Sequence, residues 1–349
     1  MKTSELDYDL PEDLIAQKPC EKRDASRLLV LDRQEGSLCE DVFRNLATYL
    51  RRGDCLVLND TRVIRARLRG QKVTGGNIEI LLLREASPGT WEALVRPSAR
   101  VKAGARVQIA DDFEAWVEEA LPDGRRRVRF DVPDILDHLE RVGEMPLPPY
   151  IKRPRPDEAG RAEALRARDG VRYQTVYARV PGAIAAPTAG LHFTDEVFES
   201  LARAGVRRST LTLHVGYGTF RPIIAENVED HTVEPEEFEF PEGAAALLNS
   251  VRAEGCRVVA VGTTSTRVLE TQYQDGAFRP GRGITDQYIY PPYTFRAVDA
   301  LQTNFHLPRS SLLALVCAFA GTDFVLEAYR YAIQKRFRFY SYGDAMLIL

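Results

Sequence analysis

The sequence is poor in cysteine, lacks any long apolar run and has almost no net charge, and each shortage excludes something. Its five cysteines, Cys20, Cys39, Cys55, Cys256 and Cys317, are scattered and form no C-x-x-C pair. That gives no basis for a disulfide scaffold or a zinc cluster, and it fits a reducing compartment. The longest apolar run, Leu312 to Ala320, is far shorter than the ~20 residues a bilayer span needs. The N-terminal MKTSELDYDLPEDL carries early acids where a secretory signal has an apolar core. A soluble cytoplasmic protein with no membrane partner is expected. The net charge of −3 excludes a uniformly basic nucleic-acid coat protein, though not a local basic face. With 24 Gly and 20 Pro in 349 residues the chain is neither collagenous nor disordered, and 44% apolar residues suffice for a large core, by default in two domains.

Apolar periodicity divides the chain. SRLLVLD (26–32) and CLVLND (55–60) read as strands, and EDVFRNLATYLRR (40–52) places Val42, Phe43, Leu46 and Leu50 on one helical face. Between 63 and 131 there are six short alternating runs, VIRARLRG, NIEILLLRE, TWEALVR, ARVQIA, FEAWVEEA and RRRVRFD, separated by glycine-bearing turns. These predict a small all-β barrel or sandwich. Helical patterns return at PDILDHLERVG and over 157–169, and α/β alternation resumes to the C-terminus. There TDEVFESLARAG, EGAAALLNSVRAEG, 309–320 and 322–336 read as helices, and RRSTLTLH, CRVVAVG, QYIYP, ALQTNF and DAMLIL as strands. The expected fold is an α/β main domain with a mixed or mostly parallel, barrel-like sheet, formed by 1–61 and 150–349. An all-β barrel domain, 62–149, is inserted at Thr61.

Charge is uneven. Residues 60–110 hold ten Lys/Arg against four acids, whereas 222–251 hold eight acids and no Lys or Arg. Such asymmetry suits a polyanion held on one side, although strand alternation alone accounts for Arg65, Arg67 and Arg69. Arg96, Arg100, Lys102 and Arg106, in RPSARVKAGAR, are the candidate phosphate contacts.

Polar clusters recur beside apolar strands. They are Asn59-Asp60-Thr61-Arg62, His214-Val215-Gly216-Tyr217-Gly218-Thr219, Gly262-Thr263-Thr264-Ser265, Thr303-Asn304-Phe305-His306 and Ser341-Tyr342-Gly343-Asp344. In parallel α/β folds the C-terminal strand ends form one ligand-binding rim, although any single cluster serves equally well as a turn or cap. A further stretch, GAIAAPTAGLHFT, brings Thr188, Gly190, His192 and Phe193 together, with no Lys, Arg, Asp or Glu between Val180 and Thr194. Small residues allow close backbone approach by a ligand. Three of the five histidines, His192, His214 and His306, fall in these clusters, and they are expected to converge with Thr219, Thr264, Asn304 and Asp344 on one pocket. The G-x-G of VGYGTF lacks the strand–turn–helix context of a dinucleotide fold, and no P-loop, H-E-x-x-H or G-x-S-x-G is present. No metal site is expected.

These segments together resemble the S-adenosylmethionine:tRNA ribosyltransferase-isomerase family of queuosine biosynthesis. The carriers are DYDLPEDLIAQKP, RDASRLLVLDR, LNDTRVIRARLRG, YQTVYARVPGAIAAPTAGLHFT, TLHVGYGTFRP, VGTTSTRVLE, TDQYIYPPYTF, TNFHLPRSSLLALVCAFAG and RFYSYGDAMLI. The resemblance implies transfer and isomerisation of the ribosyl moiety of S-adenosylmethionine onto 7-aminomethyl-7-deazaguanine at the tRNA wobble position, giving epoxyqueuosine, adenine and methionine. S-adenosylmethionine is then a consumed co-substrate, with no further cofactor, and tRNA is the partner; a monomer is favoured. Such chemistry needs a base beside a sulfonium and an acid for adenine, roles that histidine suits. His192 is the first choice for the base, since a cationic substrate lowers the pKa of a nearby imidazole. His214 and His306 are the alternatives. The chain departs from the family in carrying Glu234 three residues after His231, where a second histidine is usual, and in Gln287 and Pro292. Two other readings compete. An S-adenosylmethionine-dependent RNA methyltransferase would need a glycine-rich first turn that is absent. A non-catalytic RNA-binding module would leave the histidines as core residues.

Overall fold

The computed structural model describes residues 1–132, 134–153 and 159–349. The chain opens with β1 (Arg27–Asp32), β2 (Ser37–Val42) and β3 (Cys55–Asn59). A short β4 (Thr61–Val63) leads into β5 (Arg67–Lys72), β6 (Asn77–Ser87), β7 (Thr90–Arg96), β8 (Arg106–Ala110), β9 (Phe113–Ala120) and β10 (Arg126–Phe130). Helices α1 (Ile135–Val142) and α2 (Ala159–Arg172) follow, and β11 (Val180–Ala183) returns parallel to β4. Then come α3 (Asp195–Arg203), β12 (Arg207–Leu213), β13 (Glu236–Phe240), α4 (Glu242–Ala253), β14 (Val258–Val261) and α5 (Gly262–Gln272). The small hairpin β15 (Tyr273–Gln274) and β16 (Ala277–Phe278) precedes β17 (Gly281–Thr285) and β18 (Ala300–Asn304). Helices α6 (Ser311–Ala320) and α7 (Thr322–Gln334) and strand β19 (Ala345–Ile348) complete the chain.

Nine strands form one mixed sheet in the order β17-β13-β12-β3-β14-β18-β19-β1-β2. The sheet ends in the edge strands β17 and β2; the closed barrel is the inserted β5–β10 unit. The central strands are buried on both faces, and their side chains alternate between two cores as the two-residue strand period requires. Leu29 and Leu31, Cys55 and Val57, Val258 and Ala260, and Met346 and Ile348 join one core with α4, α6 and α7. Their neighbours Leu28 and Val30, Leu56 and Leu58, Val259 and Val261, and Ala345 and Leu347 join the other, with α3 and Phe43.

Direction fixes the rim. β12, β3, β14 and β18 run parallel, so their C-terminal ends lie together. β19 runs antiparallel to β18, and β1 parallel to β19, so the starts of β19 and β1 join the same rim. Asp344 and Ser26 therefore reach it from strand beginnings.

The barrel has its own core, including Leu68, Ile80, Val95, Val107, Phe113, Val117 and Val128. The insertion is not purely β, however. In α1 the Asp134 carboxylate caps Leu136 N–H at 2.8 Å, and Ile135 and Leu139 pack into the barrel core. Two other readings change. Residues 37–42 form a strand and Phe43–Tyr49 a 3₁₀ helix, because Phe43 and Leu46, spaced by three, suit a 3₁₀ turn as well as an α turn. QYIYP forms no strand; Pro291 and Pro292 remove ladder donors there. EEFEF, inside the acid-rich stretch 222–251, is β13, with Glu236, Phe238 and Phe240 facing inward. Of the charged stretch 157–169, the part from Ala159 onward is helical and residues 157–158 lie outside the described ones. No single helix among the described residues is long and apolar enough to cross a membrane.

Candidate active site

A small cavity of about 50 Å³ opens at the rim. Its walls come from the 186–189 stretch, the loop after β12, the start of α5, the end of β18 and the segment 340–341, with Tyr150 closing one side. Thr188, Thr219, Thr263, Thr264, Asn304 and His306 all line it, and no Asp, Glu, Lys or Arg does among the described residues. Two tyrosines, Tyr150 and Tyr340, stand in its wall with their rings 4.8 Å apart, while the Phe305 ring is turned into the core. A neutral pocket with aromatic walls is one where a cation is met by ring faces.

The other expected residues are used differently. Asn59 Nδ2 donates to Leu213 O at 2.9 Å, and its Oδ1 accepts from Leu213 N–H and Thr61 N–H, locking the ends of β3 and β12. Asp60, 2% exposed, accepts from Thr212 Oγ1 at 2.6 Å and Arg179 Nη2 at 2.8 Å. Arg62 pairs with Glu140. Thr61 Oγ1 lies 2.9 Å from His214 Nδ1, and the His214 ring sits against Gly182, so His214 stays out of the cavity. Phe193 is core, edge-on to Phe43 and stacked on Phe198. Gly190 has Tyr177 Oη directly against it, leaving no room for a Cβ. Ser265 Oγ returns to Val261 O inside α5. Gly218 is backed by Glu234. The Asp344 carboxylate accepts from the Arg27 and Arg338 amides and the Arg338 guanidinium, tying the starts of β1 and β19.

The expected convergence of three histidines is thus corrected to one in the wall. His192, 4% exposed, stands behind Asn304. Asn304 Nδ2 faces Tyr340 O, Asp344 O and His192 Nε2 at 3.4, 3.3 and 3.0 Å. Two of these are carbonyls, so the nitrogen assignment is fixed and His192 Nε2 must accept. The proton is then on Nδ1, which donates to Ser26 Oγ at 2.7 Å, and Ser26 Oγ donates to Arg23 O. Burial, with Arg338 and Arg23 nearby, pushes the His192 pKa down to about 3. A neutral, fully bonded imidazole holds the Asn304 amide, whose Oδ1 keeps no partner in the cavity wall.

His306 is the cavity histidine. Its Nε2 lies 2.8 Å from Thr303 Oγ1, its amide donates to Tyr329 Oη, and its carbonyl accepts from Tyr8 Oη. Nδ1 makes no hydrogen bond among the described residues. Burial lowers its pKa to about 3, so the ring is neutral at pH 7. The Thr303 hydroxyl can donate or accept, so both neutral tautomers are available to a reaction.

These two rings make the fold acid-sensitive. Their pKa is near 3 folded against 6.5 for the free side chain. The unfolded chain binds more protons across that window, and stability falls as pH drops through it, by up to ~1.4 kcal/mol per pH unit per ring. Urea unfolding between pH 6.5 and 4.5 is expected to show this slope. His306→Gln should remove about one ring's share; an unchanged slope refutes the assignment.

Sequence reasoning missed Glu236 and Arg267. Glu236 Oε1 accepts from Gly216 N–H at 2.8 Å and Thr219 Oγ1 at 3.3 Å, shaping the loop that lines the cavity. Its other oxygen pairs with Arg267 of α5. The signal available was the E-F-E-F alternation, which puts Glu236 on the inward face with two phenylalanines.

A second concavity, about 750 Å³ and open to solvent, runs between the barrel and α2. Arg65, Arg67, Arg69, Arg96, Arg141, Lys152, Arg153 and Arg166 line it, against Glu79, Glu144, Glu163 and Asp169. Tyr217, beside the cavity loop, stands at its edge. Of the expected phosphate contacts Arg96 lies here, and Lys102 is exposed. Arg106 is paired with Glu114 at 2.5 Å over Trp116. The Arg100 side chain lies outside the described residues. No group of three or more His, Cys, Asp or Glu suited to a metal occurs among the described residues.

A mixed α/β sheet with a charge-free cavity at its strand ends, beside a closed barrel, belongs to the class of α/β proteins in which the strand-end rim is the place for a ligand. The chain matches the queuosine biosynthesis protein family over residues 3–348 and belongs to it. A relative named S-adenosylmethionine:tRNA ribosyltransferase-isomerase from Caldanaerobacter subterraneus subsp. tengcongensis is 48% identical over 353 residues, spanning 100% of both chains. One of the same name from Syntrophomonas wolfei is 51% identical, over 98% of this chain and 96% of the relative. The crystal structure of S-adenosylmethionine tRNA ribosyltransferase from Thermotoga maritima is 40% identical, with a TM-score of 0.56 over 99% of this chain and 100% of that one.

Proposed function

We propose that this chain is an S-adenosylmethionine:tRNA ribosyltransferase-isomerase. It moves and isomerises the ribosyl group of S-adenosylmethionine onto 7-aminomethyl-7-deazaguanine at the tRNA wobble position, releasing adenine and methionine. The observation that carries the reading is the rim cavity, where neutral His306 faces walls that are free of charge and carry tyrosine and threonine side chains. A sulfonium nucleoside fits such a site, because a permanent cation is tolerated beside π faces and keeps a nearby imidazole neutral. Within this reading His306 exchanges the protons, while His192 and Ser26 hold Asn304. The division into a discontinuous catalytic domain, 1–61 and 150–349, and an inserted domain, 62–149, belongs to the same reading, as does a cytoplasmic setting. Incubation with S-adenosylmethionine and substrate tRNA should release adenine. Release of S-adenosylhomocysteine instead would indicate a methyltransferase, and neither product a binding module.

The tRNA backbone is assigned to the basic cleft, whose edge at Tyr217 adjoins the cavity loop. Arg96→Ala and Lys102→Ala are each expected to weaken tRNA binding and lower its salt slope by about one. Arg106→Ala should do less, since Glu114 already neutralises that guanidinium. S-adenosylmethionine binding should stay unchanged. A salt series with unaltered tRNA affinity for Arg96→Ala would remove that end of the cleft from the binding face, and unaltered affinity for Lys102→Ala and Arg106→Ala would remove the neighbouring barrel surface.

A further inference from the structure

The start of α5 forms part of the cavity wall through Gly262, Thr263 and Thr264. No side chain caps this helix; its N-cap position is Val261. The first amides of a helix lack intrahelical acceptors and carry the positive end of the helix dipole. Those of Thr263 and Thr264 make no hydrogen bond elsewhere among the described residues. Gly262, at φ +86, turns the chain from β14 into the helix in a conformation that side chains rarely adopt. An independent observation marks the same spot. Thr264 is 7% exposed and lines the cavity, yet its Oγ1 has no partner. The neighbouring hydroxyls of α5 are spent inside the helix, Ser265 on Val261 O and Thr266 on Gly262 O. A buried hydroxyl and two amides without acceptors, in a wall free of cationic side chains, form a donor set for a carboxylate.

We propose that the N-terminus of α5 is a carboxylate subsite, and that it takes the amino-acid end of a sulfonium substrate; this rests on the reading of the cavity as the S-adenosylmethionine site. The same cavity wall offers Asn304 Oδ1, an acceptor without a partner, and His306. The substrate therefore lies with its carboxylate at Thr263 and Thr264, and its sugar reaches the histidine. The subsite acts through backbone dipoles and one hydroxyl, so it holds the carboxylate without placing a fixed cation beside the sulfonium.

The test compares binding of S-adenosylmethionine and decarboxylated S-adenosylmethionine by calorimetry, alone and with tRNA lacking the aminomethyl group. Wild-type protein should prefer the carboxylate form by about tenfold or more, the scale of a charge-assisted hydrogen bond. Thr264→Val should weaken S-adenosylmethionine by about tenfold and leave the decarboxylated compound unchanged, and Thr264→Ser should restore the preference. Wild-type protein that binds both ligands equally overturns the subsite and leaves the cavity reading standing. Equal losses for both ligands in Thr264→Val place the hydroxyl against another part of the substrate and also overturn it. Failure of wild-type protein to bind S-adenosylmethionine under either condition removes the cavity reading itself, and the subsite with it. Should Thr264→Val not fold, the wild-type comparison and Thr264→Ser decide the matter.

Discussion

Arg267→Ala is expected to destabilise the protein by about 3–5 kcal/mol, because it leaves a buried carboxylate unpaired. Glu236 is 5% exposed and Arg267 8%. The guanidinium also donates to Gln287 O at 2.9 Å and Thr285 O at 3.3 Å, so its loss strips two further acceptors. Glu236 in turn holds the Gly216 amide and the Thr219 hydroxyl, and disturbance should reach the cavity through that loop. Glu236→Gln combined with Arg267→Met removes both charges while keeping an amide oxygen for Gly216. It should recover much of the lost stability, since the larger penalty belongs to the stranded charge rather than to the lost pair. Chemical denaturation of the two variants decides this. Equal losses in the single and the double replacement would mean that packing of the arginine stem, not its charge, is what matters.

The barrel was legible because its six runs alternate with period two and are cut by glycine turns, signals that no helix produces. The main sheet was legible from short, fully apolar strands. Polar strand-end clusters correctly marked the rim, yet residue type could not say which of them face a ligand. Asn59 and Asp60 end β3 much as Asn304 ends β18, but the former pair spend their polar atoms stitching neighbouring strands. That difference depends on which strand lies alongside, and strand order is not written in local sequence. Asp344 misled for a related reason: it is on the rim only because β19 runs against β18. Tyr150 and Tyr340 were missed as cavity walls because they arrive from segments nearly 200 residues apart that meet only in the fold, with ring centroids at 4.8 Å.

The same limit separates the two buried histidines, and their variants should behave differently. His306→Gln is expected to lower single-turnover product formation by about a hundredfold or more, the scale of lost general acid–base catalysis, with S-adenosylmethionine binding retained. Its ring is in the cavity wall, and Thr303 can support either tautomer. His192 lies one residue deeper, with both ring nitrogens bonded. Proton removal at Nε2 would require the Asn304 amide to leave, while Tyr340 O and Asp344 O hold that amide in place. His192→Ala should instead leave a void behind Asn304 and remove the shortest of its three amide contacts, loosening the side chain that Tyr340 O and Asp344 O still orient. The expected loss is in S-adenosylmethionine affinity and in folding stability, with a smaller fall in the chemical step. His192→Gln, whose side-chain oxygen can accept from Asn304, should restore part of the affinity, and a group removing the proton itself would gain nothing from that replacement. Measured together, the binding constants, melting temperatures and single-turnover rates of these three variants separate the histidine that exchanges a proton from the one that holds its neighbour. A hundredfold fall in rate at unchanged affinity for His192→Gln, with His306→Gln active, would reverse the two assignments.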